Sequence, residues 1–89
     1  MFQISFSSHG DRAFNKLPHA IQQQVIETLG SLTNDVHWYR RVKKLKGTKD
    51  QYRFRIGRWR VLFLLINNRV EVLDIFMKKG EEDYRRRGL

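Results

Sequence analysis

Near the start of the chain, Phe2, Ile4 and Phe6 alternate with Gln3, Ser5 and Ser7, the period-two pattern of a half-buried strand. The period then changes. Ser7, Ser8 and Asp11 can cap a helix running to about Leu17, with Ala13, Phe14 and Leu17 as its apolar stripe. Pro18 ends that helix, and its fixed φ suits the first turn of the next one. From His19 to about Leu32, the apolar positions Ile21, Val25, Ile26, Leu29 and Leu32 recur at helical spacing. Two short antiparallel helices joined near Pro18 are therefore predicted. Asn34 and Asp35 stop the second, and Trp38, Tyr39, Val42 and Leu45 are expected to pin an irregular segment to the core.

Gly47 marks a turn, and the clearest β signal follows it: Tyr52–Ile56, Trp59–Ile66 and Arg69–Met77, separated by Gly57–Arg58 and Asn67–Asn68. Glycine and asparagine tolerate positive φ, so these two-residue punctuations read as hairpin turns and the segment as a three-stranded antiparallel meander. The tail, Lys78–Arg87, is charged. The order β-α-α-β-β-β with short connections predicts an α+β domain, a twisted, antiparallel-rich sheet with a helical hairpin packed on one face. At 89 residues the chain is expected to be one domain, 1–89, with no repeat and no linker.

Composition narrows the setting. With no cysteine, disulfides and thiolate-bound metals are excluded, which fits a reducing compartment. The N-terminal residues lack the basic n-region and apolar run of a secretory signal, and the longest apolar stretch, Val61–Ile66, is far short of a membrane span. The expectation is a soluble cytoplasmic protein. Charge changes the picture more. The formal net charge is +9, and nearly all the excess lies after Val42, where fourteen basic residues face six acidic ones. Such a domain is drawn to polyanions, chiefly nucleic acid, by counterion release. A solvated basic surface neutralised by an acidic protein partner is the plainer alternative.

Hairpin register sharpens this. If Gly57–Arg58 is a two-residue loop, Ile56 pairs with Trp59 and Arg55 with Arg60. Directly opposed residues share a face, and Arg53 lies on it by the period-two rule. Tyr52, Phe54 and Ile56 then point the other way. Like charges opposite one another are destabilising by about 0.2–1 kcal/mol, so the arrangement reads as an anion site in which Arg forks grip phosphate oxygens. An edge ribbon kept soluble by charge is the competing reading. Lys43, Lys44, Lys46 and Lys49, with Arg58 in the hairpin turn, extend the positive field and are assigned to substrate or partner binding, a solvated loop being the competing reading.

The three histidines, His9, His19 and His37, all lie in the first half, and none has a partner at metal-like spacing. No His-Glu-x-x-His motif, paired metal-binding carboxylates or phosphate-binding glycine loop is present, so neither metal nor cofactor is expected. In the tail, Lys78 and Lys79 follow the last strand, and Tyr84 stands among charges. Such a tyrosine can stack on a base, act through its hydroxyl, or simply hold the tail down.

These residues resemble the RelE/ParE toxins of bacterial and archaeal toxin–antitoxin systems. The resemblance lies in Lys16–Leu17–Pro18, Lys43–Lys44–Leu45–Lys46–Gly47, Tyr52–Arg53–Phe54–Arg55–Ile56–Gly57, Trp59–Arg60–Val61 and the strand Val70–Phe76, in that order along nearly the whole chain. It implies the fold already reached from periodicity. It also implies a metal-independent endoribonuclease that cleaves mRNA in the ribosomal A site by attack of a 2′-hydroxyl on the adjacent phosphate. The family's catalytic positions fall on Arg53, Arg55, Arg60, Lys79 (or Lys78) and Tyr84. Toxins of this kind are held by a cognate antitoxin, which is the implied partner besides ribosome-bound mRNA. Two alternatives share the fold: a ParE-like inhibitor of DNA gyrase, and a non-catalytic RNA-binding module.

Overall fold

A computed structural model describes residues 3–77. The expectations that fall on Phe2, Lys78, Lys79 and Tyr84 lie outside the described residues. The elements are β1 (Gln3–Phe6), α1 (Ser8–Asn15), α2 (His19–Thr33), a 3₁₀ turn at Trp38–Arg40, β2 (Lys43–Lys44), β3 (Gln51–Ile56), β4 (Trp59–Ile66) and β5 (Arg69–Met77). They form one five-stranded sheet in the order β1-β5-β4-β3-β2. β1 lies parallel to β5, and the other pairings are antiparallel. This is the predicted α+β fold with one addition. Lys43–Lys44, expected in a loop, pair with Arg53 and Tyr52 as a short edge strand.

Local chemistry explains the boundaries. Ser7 caps α1, its Oγ accepting the Gly10 N–H at 2.9 Å. The helix stops at Asn15, two residues before the predicted end, because Leu17 precedes Pro18 and is steered out of the helical region. Leu17 is buried instead as a link between the helices. Pro18 caps α2 and Asn34 closes it. Both hairpins turn as expected: Gly57 has φ of 58°, and Asn67 and Asn68 have φ of 52° and 62°.

The core lies between the helices and one face of the sheet. Val25, Leu29 and Leu32 of α2 meet Phe54, Val61, Phe63, Val72 and Ile75. Tyr52, Ile56 and Trp59 pack at its margin. A bulge adjusts the sheet to this core. Phe63 pairs with Val72 but Leu62 with Asp74, so Leu73 is the extra residue, and Val72 and Ile75, three apart, both reach the core. Gly10 is buried against β5, and a Cβ there would collide with the carbonyl of Val72.

Three apolar expectations are corrected. Ile26 is exposed, because Val25, Leu29 and Leu32 define the buried stripe of α2 and Ile26 lies to its side. Ile4 is exposed on the edge strand β1, where only Phe6 packs against the helices, through Phe14. Tyr39 is exposed rather than an anchor, since the 3₁₀ turn directs its neighbour Trp38 inward, edge-on to Tyr52 at 5.4 Å. No helix among the described residues is long and apolar enough to cross a membrane.

Candidate nucleic-acid interface

The face of the sheet away from the core carries the cations. Arg55 pairs with Arg60 and Ile56 with Trp59, as the two-residue hairpin requires. Arg53, two residues before Arg55, pairs with Lys43 on one side and Leu62 on the other. Residues paired across antiparallel strands project to the same side, so Lys43, Arg53, Arg55 and Arg60 converge. Beneath the cations, Leu62 and Phe76 are buried, yet neither belongs to the helix-side core.

Between these groups runs a groove of about 340 Å³. Arg53, Arg55 and Arg60 form part of its wall, with Lys43, Val42, Phe54, Arg40 and Arg41 completing it. Arg60 is held in place from below. Its Nη1 donates to the carbonyls of Gly57 at 3.1 Å and Trp59 at 3.3 Å. Its Nε is buried without a hydrogen-bond partner among the described residues. A buried donor left unpaired is uncommon in folded proteins and calls for an explanation, such as an anion that approaches the guanidinium. Arg55 is exposed, while Arg53 and Arg60 are half-buried, so the groove presents charge from its rim and from its wall.

The remaining lysines divide. Lys43 lines the groove, but Lys44 pairs with Tyr52 and belongs to the opposite face. Lys46, Lys49 and Arg58 are exposed in turns, outside the groove's wall. Lys78, Lys79 and Tyr84 lie outside the described residues. Arg40 and Arg41 are the groove residues that pattern reading passed over. Their signal was the basic run Arg40–Arg41–Val42–Lys43–Lys44, of which only the last two were counted. Arg41 donates from Nη1 to Ser31 Oγ at 2.7 Å and lies 3.6 Å from the Asp35 carboxylate.

The histidines stay away from the groove. His19 is within 3.2 Å of Gln23 on the exposed side of α2, and the His37 ring meets Tyr39 edge-on. His9 has a partner that spacing could not reveal. Its Nε2 lies 3.0 Å from Asp74 Oδ1, which also accepts the Ile75 N–H at 2.8 Å. The contact ties the first turn of α1 to the bulged part of β5. Among the described residues, no group of three or more His, Asp or Glu side chains comes together as a metal site would need.

No family model and no curated protein matches the chain. Solved structures do. The isolated RelE toxin of Escherichia coli superposes with a TM-score of 0.77 at 17% identity, over 99% of this chain and 96% of that one. RelE–RelB complexes agree as well. That of Pyrococcus horikoshii gives 0.68 at 23% identity over 90% and 97% of the two chains. That of Methanococcus jannaschii gives 0.71 at 18% identity over 89% and 95%. Across nearly its whole length, the chain has the fold of the RelE toxins.

Proposed function

We propose that this protein is the toxin of a type II toxin–antitoxin pair and a metal-independent, ribosome-dependent mRNA endoribonuclease acting in the cytoplasm. The observation that carries this reading is the cross-strand pair Arg55–Arg60, flanked by Arg53, in a groove where Arg40, Arg41 and Lys43 add further positive charge beside Val42 and Phe54. A fold gains nothing in stability from like charges set opposite one another, so the arrangement serves a ligand that brings negative charge. Solved relatives of the same fold, bound to RelB antitoxins, support the toxin reading.

In the proposed reaction the RNA 2′-oxygen bonds to the adjacent phosphorus and the bond from phosphorus to the 5′-oxygen breaks. The products are a cyclic phosphate and a 5′-hydroxyl. Charge builds on the phosphorane oxygens, and fixed guanidinium groups nearby stabilise it most effectively. Arg60, oriented by the Gly57 and Trp59 carbonyls, suits that role, with Arg53 or Arg55 as its counterpart. A guanidinium stays protonated in proteins and is a poor proton acceptor, so these residues serve charge rather than proton transfer. Lys79 and Tyr84 are proposed to complete the site, Lys79 adding charge and Tyr84 stacking a base or orienting the hydroxyl. Alignment of the 2′-oxygen by the ribosome supplies further acceleration. The partner is a cognate antitoxin, acidic where it covers the basic face.

Induced expression of wild type, Arg60→Ala and Tyr84→Phe, with growth and primer extension on translated mRNA recorded, tests the reading. Wild type should arrest growth and cut mRNA, Arg60→Ala should do neither, and Tyr84→Phe should be impaired. Gyrase inhibition without mRNA cleavage would establish the ParE-like alternative. RNA binding without turnover would establish the non-catalytic one.

A further inference from the structure

The groove holds more positive charge than one phosphodiester can use. Besides Arg53, Arg55 and Arg60, it presents Arg40, Arg41 and Lys43. Neighbouring strands are about 4.8 Å apart and two residues rise about 6.8 Å, so the backbones of Arg60 on β4 and Lys43 on β2 stand roughly 12 Å from one another across the sheet. Arg40 and Arg41 enter from the turn that leads into β2. Arg41 closes that turn in the right-handed helical region and lines the same groove as Arg55 and Arg60. The cations thus form a track rather than a single cup.

Arg40 and Arg41 differ in how they are held. Ser31 and Asp35 already engage Arg41. The exposed Arg40 has no carboxylate partner among the described residues, and its guanidinium carbon lies 5.9 Å over the Tyr39 ring centroid. Tyr39 is 54% exposed, although the adjacent Trp38 packs against the core. Its ring meets Trp38 and His37 only edge-on, at 6.2 Å and 6.1 Å between centroids. An exposed aromatic beside a groove-lining arginine that no carboxylate among the described residues holds is suited to one nucleotide: a π-face for the base and a fork for its phosphate.

We propose that Tyr39 and Arg40 form a second nucleotide subsite for single-stranded RNA, flanking the phosphate gripped between Arg55 and Arg60. The subsite rests on reading the groove as an RNA site, but not on cleavage. A two-nucleotide fragment without terminal phosphates, having one phosphodiester, fills only the Arg55–Arg60 position. A four-nucleotide fragment reaches Tyr39 and Arg40 as well.

The test is equilibrium binding of fluorescent 2′-O-methyl oligonucleotides, which lack the attacking hydroxyl, at lengths of two and four nucleotides. Wild type should hold the longer fragment more tightly. Arg40→Ala should weaken the longer fragment about fivefold to tenfold and lower its salt slope by about 0.7, leaving the shorter one unchanged. Tyr39→Ala should cost the longer fragment about tenfold and Tyr39→Phe almost nothing, since stacking needs only the ring. Equal binding of both lengths by wild type would overturn the subsite. So would Arg40→Ala and Tyr39→Ala variants that bind the longer fragment like wild type, or that weaken both lengths alike. Wild-type mRNA cleavage, measured separately, judges the nuclease reading. Its absence beside intact length dependence would remove the nuclease and leave the subsite standing.

Discussion

Strands β3 and β4 have two faces built from alternating residues of the same short segments, and the two faces obey opposite rules. On the helix side, Phe54, Val61 and Phe63 are almost fully buried and meet α2, with ring contacts such as Phe54–Phe63 at 5.9 Å between centroids. On the other side, Arg53, Arg55 and Arg60 crowd like charges into a groove. The period of two lets one backbone serve both purposes, because a substitution at one position reaches only one face. Stability rests mainly on the first face, with Leu62 and Phe76 buried beneath the cations of the second, and ligand chemistry on the arginines. The separation predicts that the faces can be damaged independently.

The largest effect should come from the helix side. Phe63→Ala removes a ring that is 1% exposed and should destabilise the fold by about 3–5 kcal/mol, read as a lower midpoint in denaturant titration, with activity falling only as the folded fraction falls. Next, Gly10→Ala should cost about 1–3 kcal/mol, since the added methyl group must push α1 away from the Val72 carbonyl. Thermal unfolding reads this directly, and an unchanged midpoint would mean that α1 shifts freely on β5. Asp74→Ala strands the Ile75 N–H and removes the partner of His9, for a loss of about 1–3 kcal/mol in the same assay. The smallest effect is the most telling. Arg55→Leu relieves the opposition to Arg60 and should leave stability unchanged or raise it by a few tenths of a kcal/mol, while RNA binding weakens.

The two faces were also legible to different degrees. Gly57–Arg58 and Asn67–Asn68 punctuate the chain so sharply that strand register, and with it the Arg55–Arg60 pairing, followed from local turn chemistry. Alternation then assigned each side chain a face. Contacts formed between distant parts of the chain were not legible. The pairing of Lys43–Lys44 with β3 spans a loop with no periodic signal, so the sheet gained an edge strand and the groove gained Arg40 and Arg41. The bulge at Leu73, the close approach of Gly10 to Val72 and the His9–Asp74 contact all arise where α1 meets β5. A glycine or histidine in a helix's first turn carries no mark of the strand it will touch. Ile26 and Tyr39 show the same limit from the other side, because hydrophobic character alone does not say which apolar residue the packing will leave out.

The separation of stability from chemistry is tested most directly by pairing two readings on Arg60→Ala: single-turnover cleavage of mRNA on programmed ribosomes, and thermal unfolding of the same preparation. Arg60→Ala should cleave about 100-fold to 1,000-fold more slowly, as for loss of one donor to a developing oxyanion, with an unfolding midpoint equal to or above that of wild type. Cleavage at the wild-type rate would contradict the assignment of the arginine face to the reaction. A midpoint that falls together with the rate would contradict the independence of the two faces.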